Sequence, residues 1–109
     1  MAISHASPGQ LIDVRPLSNK LAEARTTALF KTDQLEVMRL VVLAHKTVPS
    51  HQVKGEITVQ CLEGELEFIA GAETHLMKAG QLIHLAGGVE HALKALKDSS
   101  LLVTIVLKK

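Results

Sequence analysis

Val48–Gly64 reads VPSHQVKGEITVQCLEG, and the fold turns on how this stretch is parsed. Ile57, Thr58 and Val59 form a β-branched run. Side chains of this kind are stiff at the first torsion and favour a pleated strand. Along a strand, side chains alternate between two faces. Counted by twos, His51, Val53, Gly55, Ile57, Val59 and Cys61 share one face, and Gln52, Lys54, Glu56, Thr58 and Gln60 share the other. The second face is polar throughout, whereas the first is apolar apart from the histidine that opens it. The pattern predicts a half-buried antiparallel strand from His51 to Cys61, closed by a turn at Glu63-Gly64.

Working outward, Leu35–Ala44 (LEVMRLVVLA) is apolar on both parities and interrupted only by Glu36 and Arg39. Such a run sits between two layers or at a subunit contact. Thr27–Lys31 is read as a strand before it, with a turn at Asp33-Gln34. A short helix is predicted over Leu17–Arg25, with Pro16 and Ser18 near its start. Residues 1–15, which carry Pro8-Gly9, are read as a loose N-terminal arm, and 16–109 as a single domain. Downstream, Leu66 and Phe68 alternate with Glu65 and Glu67. Ala70-Gly71-Ala72 makes a hairpin turn, Glu73–Lys78 returns, and Ala79-Gly80 turns again. Lys97-Asp98-Ser99-Ser100 is read as a turn and Leu101–Leu107 as a closing strand. His5, His75 and His84 are read as solvent-facing. His45 is read as an exposed turn residue, since histidine tolerates left-handed backbone angles better than most side chains.

A second stretch, Gly80–His91 (GQLIHLAGGVEH), answers the first. Together they resemble the two signature motifs of the cupin superfamily. In the first motif, His45 stands at the opening Gly, His51 at the first His, Val53 at the second His, Ile57 at the Glu, and Gly64 at the closing Gly. In the second, Gly80 is kept, Ala86 replaces Pro, Gly88 is kept, His91 stands at the third His, and Ala95 replaces Asn. The resemblance implies an all-β fold, an antiparallel double-stranded jelly-roll barrel. It also implies a site inside the barrel at His51, Val53, Ile57 and His91, where a typical cupin holds a divalent transition metal through three His and one Glu or Gln. Here only His51 and His91 could serve as metal ligands, because Val53 and Ile57 have no lone pair to give. Protein metal sites normally supply three or four ligands. A metal-free barrel is therefore preferred, and the cofactor expectation is none, or otherwise one divalent transition metal on His51, His91 and waters. A one-residue bulge near Gly55 would swing Glu56 inward as a further ligand.

Composition bounds the rest. At 109 residues there is room for one domain, and 47% hydrophobic content suffices for a core. Net charge is +1 with scattered Lys and Arg, which argues against nucleic acid as a partner. No apolar run is long enough to span a membrane. The single Cys61 and the lack of a secretory signal point to a cytoplasmic setting. A homodimer is expected, because a small domain gains from the extra burial and because the resemblance implies early strands that cross between subunits.

Three functional classes follow. The first is a barrel that binds an unknown small molecule in an apolar pocket formed by His51, Val53, Ile57, Val59 and His91, the two imidazoles anchoring a carboxylate, phenol or enol. The second is a metal-dependent cupin enzyme of dioxygenase, isomerase or lyase type. The third is an interaction barrel filled by its own side chains. The epimerase cupins, which the resemblance gives a His base and a Tyr acid, are set aside because the chain has no Tyr.

Overall fold

A computed structural model describes residues 5–108. A 3-10 helix, Ser18–Glu23, precedes nine strands. These are β1 (Thr27–Lys31), β2 (Leu35–Val42), β3 (Thr47–His51), β4 (Ile57–Glu63), β5 (Glu65–Ala70), β6 (Glu73–Lys78), β7 (Leu82–Leu85), β8 (His91–Ala95) and β9 (Ser99–Val106). They form two antiparallel sheets, ordered β1-β2-β9-β4-β7 and β3-β8-β5-β6. The jelly-roll architecture is as expected. The sheets face one another without closing into a barrel, and β6 and β7 stand at open edges on the same side.

The inner faces are built by alternation. Ile57, Val59 and Cys61 of β4 pack with Leu101 and Val103 of β9 on one sheet. Leu66 and Phe68 of β5 pack with Leu93 and Ala95 of β8 on the other. Cys61 is fully buried, and burial pushes its thiol up from its ordinary range.

The stretch expected as one strand is divided. His51 ends β3 in the second sheet, Ile57 opens β4 in the first, and residues 52–56 carry the chain across. Gly55 makes the crossing possible, because a Cβ there would collide with the Val106 carbonyl oxygen. A β-branched run cannot reveal such a break, since both sides of it favour extended backbone. Ser99 and Ser100 open β9 and are fully buried, rather than forming a turn. Their hydroxyls explain the difference. Ser99 Oγ donates to the carbonyl oxygen of Lys97 at 2.8 Å, and Ser100 Oγ to the Glu63 carboxylate at 2.6 Å. A buried serine with a good acceptor is at home in a strand.

Of the arm read over residues 1–15, residues 1–4 lie outside the described residues, and the segment from Asp13 onward lies against the larger sheet. Arg39 shares the outer face of its sheet with Leu102 and Ser100, yet is only 6% exposed. Residues 13–20 cover it, and Nη2 of Arg39 donates to the Asp13 carbonyl oxygen at 3.4 Å. Glu63 clasps the same segment, accepting from the Leu17 and Ser18 N–H groups at 2.8 and 3.0 Å. Burial pushes the Glu63 carboxyl up, but the Ser100 hydroxyl, these two N–H groups and the Arg39 charge outweigh it and hold the carboxyl below its ordinary value. His45 has φ of 69° and is exposed, as its turn requires. Among the described residues, no helix is long and apolar enough to cross a membrane.

Candidate binding site

His51 and His91 come from opposite ends of the two motifs and meet. They are partners in the β3–β8 ladder, with ring centroids 4.3 Å apart and planes tilted by 58°. The meeting depends on an irregularity in β3. Val48 pairs with Leu93, but the next partner of β8 is reached one residue late, so that His51 rather than Ser50 stands opposite His91. A bulge of this kind re-aims a side chain. Pro49 lies within it, on an edge strand, where its missing N–H costs no ladder bond.

The two imidazoles sit differently. His91 is only 4% exposed and stacks on Phe68, with centroids 5.9 Å apart and planes within 7°. His51 lies outside it and is exposed. Ile57 and Val59 are buried on the facing sheet, and Val53 is half-buried against the same core. Val53 is fastened through its carbonyl oxygen, which accepts from Gly88 N at 2.8 Å. Of the five expected site residues, His51 and His91 meet, while Ile57 and Val59 belong to the core and Val53 packs against it.

Each histidine is held through the same nitrogen. Nδ1 of His51 lies 3.1 Å from the Pro49 carbonyl oxygen, and Nδ1 of His91 lies 3.0 Å from the Val89 carbonyl oxygen. A carbonyl only accepts, so in both rings Nδ1 carries the proton and donates it. Nε2 is then a free lone pair in each neutral ring. Among the described residues no buried side-chain nitrogen or oxygen lacks a partner, and His91 Nε2 bonds to no described residue. That nitrogen therefore accounts for part of the small exposure His91 retains.

Other acidic and imidazole groups lie elsewhere. Glu56 points outward and pairs with His84 at 2.8 Å on the exposed face, so the bulge that would have turned it inward is not formed. His75 is exposed on β6, 3.3 Å from Glu73. It does line a cavity that was not expected. About 280 Å³ opens at the seam between β6 and β7, bounded by Phe68, Met77, Ile83, Gln81 and the exposed Leu76 and Leu82. Phe68 is common to this cavity and to the His91 stack. The alternation of Met77 and Ile83 marks them as inward-facing, but sequence cannot say that their strands are unpaired edges.

This arrangement, two antiparallel sheets with a histidine pair at the mouth of the space between them, is that of a cupin. Residues 38–107 match the cupin domain family, and the chain belongs to it. No curated protein matches its sequence. Among solved structures, a conserved protein of unknown function from Streptococcus pyogenes superposes with a TM-score of 0.76 at 20% identity, covering 100% of this chain and 96% of that one. A cupin superfamily protein from Desulfitobacterium hafniense gives a TM-score of 0.76 at 17% identity, with 90% and 95% covered. Salicylate 1,2-dioxygenase of Pseudoaminobacter salicylatoxidans, solved with gentisate adducts, gives 0.63 at 19% identity, with 67% of this chain and 20% of that one covered. Likeness at these identities is likeness of fold.

The metal that the family resemblance implies finds a poor donor set here. Val53 and Ile57 hold two of its ligand positions with hydrocarbon. Among the described residues, no three of His, Cys, Asp and Glu come together as a metal-binding group.

Proposed function

We propose that this chain is a metal-independent cupin that binds a small molecule between its sheets, with His51 and His91 as the polar anchors. One observation carries the reading: two imidazoles in contact, each fastened to its own backbone through Nδ1 and each keeping Nε2 unengaged. Phe68 stacks on His91 and belongs to the same apolar core as Ile57 and Val59, against which half-buried Val53 packs. Small-molecule sites are mostly apolar with a few convergent polar groups, and the pair would supply the polar groups of such a site.

The same proposal takes the working form to be a homodimer. On the outer face of the first sheet Val37, Leu102 and Val106 remain only partly covered in the single chain, and a second copy would cover them. β1 pairs with β2 of its own chain, so no strand exchange is needed.

The test is a fragment screen by thermal stability on chelator-treated protein, for the native chain and for His51→Ala. His51 is exposed, so the variant is expected to fold normally. Fragments that raise Tm of the native chain and lose their effect in the variant support the reading. Fragments acting equally on both would place binding elsewhere.

A further inference from the structure

We propose that the recess over Arg39, on the outer side of the larger sheet, is a second binding site, taking a small molecule through its phosphate group. It is independent of the reading above, whose two histidines belong to the smaller sheet. The recess is open, measures about 420 Å³, and is lined by Asp13, Arg15, Pro16, Leu17, Lys20 and Arg39. Small-molecule sites usually span about 300–1,000 Å³. The ground for the proposal is Arg39. Its side chain is only 6% exposed, yet no carboxylate oxygen of a described residue lies within 4.0 Å of its nitrogens. A buried charge is costly unless it is paired and hydrogen-bonded. Arg39 has two hydrogen bonds and both are long, from Nη1 to Ser100 Oγ at 3.5 Å and from Nη2 to the Asp13 carbonyl oxygen at 3.4 Å. A guanidinium carries five N–H donors. Nε bonds to no described residue, and no buried side-chain nitrogen among those residues lacks a partner, so Nε is one of the atoms through which Arg39 meets solvent.

The nearby carboxylates are already supplied with donors. Asp13 is turned to Arg15, with carboxylate oxygen 2.9 Å from Nε and 2.7 Å from Nη2. Glu63 takes the Leu17 and Ser18 N–H groups and the Ser100 hydroxyl, and is linked to Arg39 only through that hydroxyl. Lys20 is exposed at the recess and enters no ion pair with a described residue. Three cations, Arg15, Lys20 and Arg39, thus stand against two carboxylates, Asp13 and Glu63, and the excess is positive. An oxyanion in the recess meets a planar fork in Arg39, the buried member of its lining, and a point charge in Lys20. Phosphate suits this pair better than a carboxylate. A phosphate group brings close to two negative charges at neutral pH and three acceptor oxygens, where a carboxylate brings one charge and two oxygens. Pro16 and Leu17 supply apolar surface for the rest of the molecule.

The test is a titration of the native chain with inorganic phosphate and, separately, with acetate, each against chloride at equal ionic strength. The readout is the side-chain Nε–H signal of Arg39 in proton–nitrogen correlation spectra. A saturable shift of that signal with phosphate is expected, with acetate binding about tenfold more weakly. Lys20→Gln alters an exposed side chain and is expected to fold normally and to weaken phosphate about threefold. Arg39→Lys keeps the charge but loses the fork, and is expected to weaken phosphate by about tenfold or more. A shift no different from that with chloride overturns the proposal. Phosphate binding that leaves the Arg39 Nε–H unmoved and is unchanged in Lys20→Gln lies elsewhere and overturns it too. Acetate binding as tightly as phosphate overturns the assignment to a phosphate group. None of these results touches the histidine reading, which the fragment screen with His51→Ala decides separately.

Discussion

Cys61 illustrates how far a single side chain's surroundings decide its chemistry. It is fully buried, its Sγ lies 3.4 Å from the Glu63 carbonyl oxygen, and burial raises its pKa. Thiolate is the reactive form. The thiol is expected to resist a disulfide-exchange reagent in the native protein and to react at once in denaturant; fast native labelling would show that this core opens. Phe68, 1% exposed and shared by the core and the His91 stack, is the most demanding residue to replace. Phe68→Ala is expected to cost about 3–5 kcal/mol by urea unfolding. Glu63 gives the acid limb of stability. Its folded-state pKa lies below its ordinary value, so its stabilising contribution is complete above the unfolded value and is lost as pH falls through the folded one. The advantage of the native chain over Glu63→Gln in urea midpoint is therefore expected to be greatest near neutrality and to shrink below pH 4.5. A constant gap would mean that the carboxylate charge does not matter.

Among the elements, the short crossing at residues 52–56 and the bulge in β3 do most to make the site. The crossing sends one half of the central motif to each sheet, and the bulge then brings His51 opposite His91. Gly55→Ala, which sets a Cβ against the Val106 carbonyl oxygen, is expected to destabilise by about 1–3 kcal/mol. These two features also mark what sequence could and could not disclose. The alternation of Ile57, Val59 and Cys61, and of Leu66 and Phe68, displayed the inner faces directly, because burial and period agree there. The motif register sets His51 and His91 at matching motif positions, and the structure makes them ladder partners. The break after His51 was hidden because the count by twos passes through residues 52–56 and returns to the right parity at Ile57. The burial of Ser99, Ser100 and Arg39 was hidden for another reason. Each is a polar residue with a partner distant in sequence, Glu63 for Ser100, Ser100 for Arg39 and the Glu65 N–H, beside the nearby Lys97 carbonyl, for Ser99, and local pattern carries no information about such partners.

At the level of the whole molecule, two sheets held face to face leave one side open between β6 and β7, and the N-terminal segment is strapped across the outer face of the larger sheet. The jelly roll was legible because cupin motifs are defined by spacing, which this chain keeps even where it replaces the residues. The open seam was not, because closure of a barrel depends on edge-strand pairing rather than on any local sequence signal. If a second copy covers the outer face, gel filtration at micromolar concentration is expected to give twice the chain mass; a compact monomer would contradict it.

The central claim is that a histidine pair in a cupin has become an anchor for a small molecule without a metal. Metal content per chain tests it most directly, measured on protein purified without a metal-affinity step or chelator, for the native chain and His91→Ala. The account predicts negligible Fe, Mn, Ni, Cu and Zn in both. Near-stoichiometric metal in the native chain, lost in the variant, would contradict it and show that two imidazoles and waters suffice to keep the metal.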